Sequence, residues 1–361
     1  MSLFLHSISL YQFKNYFHQD FRFTERIVGI CGRNGVGKTN LLDAIHYLCF
    51  TKSYFTRHDH LNIQQGHQGF RIQGDITLNN KEEKAVCILR ETGRKEFSVN
   101  DTAYPKFSKH IGRYPCVIIA PDDVQLILGG SEERRKFIDT LLSQLDSQYL
   151  QSLINYTRIL QQRNSFLRAF DDGFGKDLSV LDVLDEQLSA EGSFIFEKRR
   201  EFLLKFLPVV KLLYNDICQR YENIMLLYES ELHHMTMKEL LLHNRSKDLM
   251  LLRTTGGVHR DDLLFHLSEH SFRTIASQGQ RKSLLFSLKL AEMEILREEK
   301  NVSPFLLLDD VFEKLDEERI TNLLTRVCSD EETQIFITDT NCDRLKIQLE
   351  KISIVPQIIN L

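Results

Sequence analysis

The chain is 361 residues long, 42% hydrophobic and 27% charged, enough for one large domain or two ordinary ones with proper cores. Its formal net charge of −4 excludes a strongly basic nucleic-acid coat but leaves room for local basic patches. No run is long and apolar enough to cross a membrane, and residues 1–6 lack the basic start and small-residue cleavage site of a signal peptide. A cytoplasmic protein without a membrane partner is expected.

The seven cysteines are scattered with no C-x-x-C pair, so reduced thiols, several of them in strands, are expected rather than a disulfide framework or a zinc site. The thirteen histidines, His58/His60 and His233/His234 among them, read as loop or surface residues.

Residues 1 to about 120 read as mixed strands and short helices. Leu3–Phe13 alternates in places, 17–23 places apolar residues at 17, 21 and 23, and Ile27–Cys31 is the short apolar run of a buried strand. Further strands are expected at 69–78, 85–90 and Cys116–Ile119, with turns at Asn79-Asn80 and Glu91-Thr92-Gly93. From 131 to 170 apolar residues recur at 138, 142, 145, 149, 153, 156, 160 and 167. Gaps of three and four predict one long amphipathic helix, opened by Ser131 with the acids Glu132 and Glu133 behind it. Residues 171–175 break it. A second such pattern runs through Leu181, Leu184, Leu188, Ile195, Phe202 and Phe206, with Pro208 kinking or ending it. Two long helices joined by a short Gly-containing turn predict an antiparallel hairpin, an arm rather than another sheet.

Strand character returns at Asp262–Leu267, followed by a helix over 280–299 and apolar strands at Phe305–Leu308 and 334–337. The expected fold is α/β: a mixed sheet forming a head from residues 1–120 and 251–361, interrupted by a helical arm over 121–250.

Gly32-Arg33-Asn34-Gly35-Val36-Gly37-Lys38-Thr39 matches G-x-x-x-x-G-K-[ST] at every fixed position, with an apolar strand before it and a helical run from Asn40 to Ile45 after it. Its glycines let backbone N–H groups face phosphates, and the helix start adds a positive dipole end. Lys38 supplies charge to the β/γ-phosphates of ATP, and the Thr39 hydroxyl is placed for Mg²⁺. Phe305–Leu308 then delivers Asp309-Asp310, with Asp309 for Mg²⁺ and Asp310 to orient or deprotonate the attacking water. Ser277, Gln278, Gly279 and Gln280 open a helix with a hydroxyl, a glycine and free N–H groups, a second anion site. This segment is similar to the signature motif of ABC-type ATPases, which contacts nucleotide held by another subunit.

Other stretches spread over nearly the whole length carry a more specific likeness. They are Gln12-Phe13-Lys14-Asn15-Tyr16, Pro121 to Ser131 followed by Arg134 to Asp139, Gly257-Val258-His259-Arg260-Asp261-Asp262-Leu263, Ala276 to Leu284, and Leu308 to Asp316. Together they resemble the RecF family, of the SMC-like branch of ABC ATPases. The resemblance implies an ABC/SMC-type head, Lys14 as a further ATP-site residue, and Ser277 to Gln280 acting in trans. It also implies an ATP-dependent homodimer on gapped DNA or single-strand/double-strand junctions. Cooperation with RecO and RecR in loading RecA would follow, with slow ATP hydrolysis as a switch. Ser131 and Val258 stand where the family has Pro. Glu313-Lys314 replaces its Ser-Glu in a loop expected at the dimer interface, and Thr338-Asp339-Thr340 has no His at the switch position and no assigned role.

For DNA the sequence offers basic clusters at Lys106/Lys109/Arg113, Arg134/Arg135/Lys136 and Lys198/Arg199/Arg200, of which Arg134, Arg135 and Lys136 are the contact candidates. Modest, strongly salt-dependent reading of duplex backbone is expected. A transporter ATPase would carry a switch His and a short helical subdomain. A small-molecule kinase would need no trans-acting signature. A module that holds ATP without hydrolysing it fits the same motifs.

Overall fold

The computed structural model describes residues 2–171, 178–219, 221–310, 317–328 and 330–361. They divide into two compact units, one of residues up to Asp123 with Asp216–Gln219 and Lys282–Leu361, the other of Val124–Asn215 with the described residues of 220–281. Among the described residues no helix is long and apolar enough to cross a membrane.

In the first unit the expected mixed sheet is realised as two sheets. One has five parallel strands in the order Gln357–Asn360, Ile27–Cys31, Ile335–Asp339, Phe305–Leu308, Cys116–Ile119. The last four are buried at every residue, which is why they read as mainly apolar runs, with Thr338 and Asp339 the polar exceptions at the end of Ile335–Asp339. Parallel pairing brings all the carboxyl ends to one edge, where a ligand crevice forms in open α/β sheets. The second sheet has six antiparallel strands in the order Tyr16–Arg22, Leu3–Phe13, Phe70–Leu78, Lys81–Leu89, Lys95–Val99, Thr102–Ala103. Asn79 and Asn80, both at positive φ (53° and 62°), make the two-residue turn of its central hairpin. Helix Lys38–Phe50 is buried nearly all round, and its side chains share one core with both sheets.

Two histidines expected at the surface belong to this core: His46 stacks on Phe50 at 4.4 Å, and His110 is fully buried against Phe97. Imidazole is half apolar, and one ring nitrogen of each reaches a backbone carbonyl, that of Lys52 or Leu48.

The second unit contains helices Ser131–Leu145, Ser147–Asp171, Ser179–Cys218 and Met237–Leu251 and a three-stranded antiparallel sheet in the order His270–Ser271, Asp262–Leu267, Ile224–Glu229. The predicted helix over 131–170 is therefore two helices. Asp146 leaves helical geometry (φ −130°, ψ 110°), and its Oδ1 accepts from the N–H groups of Gln148 and Tyr149 at 2.8 and 3.1 Å, capping the next helix. Helices Ser147–Asp171 and Ser179–Cys218 are antiparallel, since Asn155 meets Glu191 and, farther along, Arg163 meets Asp185. The turn expected at 171–175 lies mostly outside the described residues. Pro208 does not end its helix. The carbonyl it leaves unpaired belongs to Leu204, 73% exposed, where water can satisfy it.

Residues 251–281, expected in the head, belong to this second unit. The reason is strand pairing, because Asp262–Leu267 takes Ile224–Glu229 as its partner, a strand inside the span expected to be purely helical.

Candidate nucleotide site

The phosphate loop leaves strand Ile27–Cys31 and enters helix Lys38–Phe50. Gly35 (φ 84°) and Gly37 (φ 119°) occupy left-handed backbone, and a Cβ on Gly37 would lie 2.6 Å from the Asn15 amide and 2.8 Å from Tyr16 Oη. The close approach has a purpose, because these two side chains brace the loop. Asn15 Nδ2 donates to Val36 O at 2.8 Å, Tyr16 Oη donates to Gly37 O at 3.0 Å, and Asn40 Nδ2 donates to Asn15 Oδ1 at 2.7 Å. Both bracing residues sit in the segment 12–16 that carries the family likeness.

Lys38 is 5% exposed, and its Nζ donates to the carbonyls of Gly32 (2.9 Å) and Arg33 (3.2 Å). Neutral partners leave its charge available to an anion in the loop. Thr39 Oγ1 lies 3.0 Å from both carboxylate oxygens of Asp309, from the end of strand Phe305–Leu308. A hydroxyl and one carboxylate are hard oxygen donors of the kind Mg²⁺ takes alongside water and phosphate. Burial pushes the Asp309 carboxyl up from its ordinary range, and the Thr338 and Thr39 hydroxyls pull it back.

Thr338 is the residue the sequence left without a role. Its Oγ1 donates to Asp309 Oδ1 at 2.8 Å and accepts from the Asp310 N–H at 2.8 Å. It thereby fixes the Asp309 carboxylate and the Asp310 backbone, which lies at φ 45°, a left-handed conformation that a non-glycine residue adopts at a cost. Asp339 binds Arg344 at 2.5 Å and the Asn341 N–H at 2.8 Å, while its carbonyl accepts from Gly32 N at 3.3 Å. The only signal for Thr338 was its place at the end of a buried strand.

Lys14 stands apart from this group. Its ammonium pairs with Asp43 at 2.5 Å, is only 11% exposed, and lies over the Phe55 ring. Asp43 also accepts from Ser53 and from the Tyr54 N–H, so Lys14 serves as a tie to helix Lys38–Phe50. Ser277, Gln278, Gly279 and Gln280 lie in the second unit. Ser277 N donates to Gln280 Oε1 at 2.8 Å and Gln280 N to Ser277 Oγ at 3.2 Å, a reciprocal cap on helix Gln278–Lys300. Gln280 is further held by Glu222 at 2.9 Å. The segment 311–316, with Glu313-Lys314, lies outside the described residues.

Most of the basic residues flagged for DNA are engaged internally. Arg134 binds both oxygens of Asp262 (2.6 and 2.9 Å), and Arg135 donates to the Asp261 carbonyl at 2.6 Å. Arg199 is 2% exposed inside a cage of acids, Arg113 is paired with Glu83, Lys198 with Asp146 and Arg200 with Glu197. Of the three contact candidates only Lys136 is exposed. The motif 257–263 explains why, since its Asp261 and Asp262 consume the charge of Arg199 and Arg134.

A family model described as RecF/RecN/SMC N terminal domain matches residues 4–357. The DNA replication and repair protein RecF of Flavobacterium johnsoniae is 42% identical, over 99% of each chain. That of Parabacteroides distasonis is 39% identical, over 94% of this chain and 92% of its own. The solved structure of the recombination mediator protein RecF-ATPrS in the RecFOR pathway superposes with a TM-score of 0.87 at 30% identity, covering 94% of this chain and 93% of that one. An Smc head domain from Pyrococcus furiosus, at TM-score 0.53 and 15% identity, shares the fold alone. With the ABC/SMC-type head and helical insertion in place, the chain belongs to the RecF family of DNA replication and repair proteins.

Proposed function

We propose that this protein is a nucleotide-switched DNA-binding factor of recombinational repair. It binds ATP through residues 32–39, and a second copy completes the site with Ser277 to Gln280. The observation that carries the reading is the contact of Thr39 with Asp309 under Thr338, at the carboxyl edge of the sheet beside a complete phosphate loop. Thr39 and Asp309 would hold Mg²⁺, which supplies charge neutralisation between phosphates. Asp310 orients the attacking water, and its reach, shorter than that of a glutamate, makes hydrolysis slow. Structures described as RecF-ATP and RecF-ATPrS in the RecFOR pathway support ATP as ligand and a place in that pathway. RecO and RecR are its partners, and loading of RecA is the step they serve.

The test mixes the full chain with ATP, Mg²⁺ and gapped DNA and follows mass and DNA retention. Lys38→Met weakens nucleotide binding about a hundredfold, the size of a lost charged hydrogen bond pair. Ser277→Arg keeps nucleotide and loses the dimer. If ATP alters neither association nor DNA retention, the switch reading is wrong.

A further inference from the structure

Two thiols meet directly behind the phosphate loop. Side chains alternate along strand Ile27–Cys31, so Gly29 and Cys31 share one face of the sheet. On that face a Cβ at Gly29 would lie 2.6 Å from Leu345 Cδ2, so helix Cys342–Glu350 rests on the strand there without a gap. Cys342 precedes Leu345 by about one helical turn, on the same helix face, and this carries it over Cys31. The strand partner of Cys31 on its other side is Asn360, whose Oδ1 accepts from Cys342 Sγ at 3.0 Å. Burial raises the pKa of the Cys31 thiol, and Cys342 is near enough to raise it further. Cys31 is 1% exposed, whereas Cys342 is half-buried and reachable from solvent.

We propose that Cys31 and Cys342 are an oxidation site, a reversible disulfide that controls the phosphate loop. The oxidant is hydrogen peroxide, whose O–O bond breaks in the first step. Cys342, the accessible partner with Lys346 one turn along its helix, attacks the peroxide oxygen, becomes a sulfenic acid and releases one water. The Cys31 sulfur then attacks the sulfenic sulfur. The S–S bond forms, the S–O bond breaks, and hydroxyl leaves with the thiol proton as a second water. Cys31 suits the resolving role by position, because it is buried beneath Cys342 and out of reach of the oxidant.

The consequence for nucleotide rests on the function proposed above. Cys31 directly precedes Gly32, and the Gly32 N–H is held by the carbonyl of Asp339, whose carboxylate grips Arg344 and the Asn341 N–H at the start of the same helix. Drawing the sulfurs to about 2 Å pulls the root of the loop toward that helix. An added backbone strain of this kind lowers nucleotide affinity about tenfold.

The experiment exposes the full chain to hydrogen peroxide, maps linked peptides by mass spectrometry without reductant, and titrates a fluorescent ATP analogue before and after. The expected result is a linked Cys31–Cys342 peptide, weaker nucleotide binding, and recovery of both with dithiothreitol. Cys342→Ser forms no link and keeps its affinity under peroxide. The second thiol pair, Cys49 and Cys116, is 1% and 2% exposed and stays reduced at the same dose. Absence of the linked peptide overturns the site. A link that leaves affinity unchanged, or equal loss in Cys342→Ser, overturns its control of the loop. If the reduced protein binds no nucleotide, the functional reading fails, while the peptide map still decides the chemistry.

Discussion

The phosphate-loop cluster and the arm's clusters treat buried charge in opposite ways. Around the phosphate loop, Lys38 is held by two carbonyls and Asp309 by two hydroxyls, all neutral partners that a phosphate and a cation can replace. In the second unit charge meets charge. Arg199 binds Asp139 and Asp261, and Arg163, 0% exposed, binds Asp185 and Asp248. A buried ion with only neutral partners is left partly unsatisfied and attracts a ligand of opposite sign, whereas a closed ion network is spent on holding its own helices in register. The phosphate-loop cluster is thus built to bind, and the arm's clusters are built to stay.

Breaking the closed network has the largest expected effect. Arg199→Ala leaves the buried Asp261 and the half-buried Asp139 without their cation and costs about 3–5 kcal/mol of stability. Urea unfolding of the full chain measures the loss, and nucleotide affinity of the folded protein stays within about twofold. An unchanged unfolding midpoint would remove the contrast between the two kinds of cluster.

The open cluster is probed by Thr338→Val, which keeps shape and deletes the hydroxyl between Asp309 and the Asp310 N–H. A buried polar group losing its partner costs about 1–3 kcal/mol, so hydrolysis slows about 10- to 100-fold. Nucleotide affinity, set by Lys38 and the loop, changes little. Thr338→Ser restores the rate. A Thr338→Val protein with full turnover would show that the hydroxyl positions nothing.

The same contrast sorts the basic residues. Lys136→Gln weakens DNA retention by a few fold and lowers the slope of log affinity against log salt by about one unit. Arg134→Gln shifts the unfolding midpoint instead, because its charge is committed to Asp262. Identical effects of the two on DNA retention would place both at the nucleic acid.

What the sequence could reveal depended on how local the cause was. The phosphate loop and strand Ile27–Cys31 were legible because a parallel strand buried on both faces must be apolar and the loop's glycines are fixed by its own curvature. The division at Asp146 was hidden, since apolar positions at 142, 145 and 149 keep helical spacing across it and one carboxylate makes the cap. The second unit's sheet was missed because Ile224–Glu229 gains strand identity from Asp262–Leu267 across a helix between them. The fate of Arg134 was illegible for the same reason, its partner lying 128 residues away. Thr338 shows the remaining gap: its residue type is common at strand ends, and only the neighbouring strand that delivers Asp309 and Asp310 gives it work.

The smallest expected effect concerns protons in the first unit's core. Burial lowers the pKa of His110 from 6.5 to about 4, partly offset by its bond with the Leu48 carbonyl. In the unfolded chain this histidine takes up a proton below its ordinary pKa, while the folded protein holds it neutral down to the lowered value. The unfolded state therefore binds more protons in that window, and the linkage slope is positive: stability is full above the ordinary pKa and is lost as pH falls toward the lowered one. By pH 6 the loss from one such group is about 1 kcal/mol. His110→Phe fits the same aromatic cage of Phe97, Tyr104 and Tyr114 and cannot take a proton. Its stability falls less than that of the wild type between pH 8 and pH 6, whatever its absolute value at pH 8. His46, also lowered to about 4 by burial, remains as an internal reference, so the variant flattens the curve without abolishing its slope. Equal losses in both proteins would mean that His110 is already protonated or solvated in the folded state, and the apolar character of the core beneath the phosphate-loop helix would have to be redrawn.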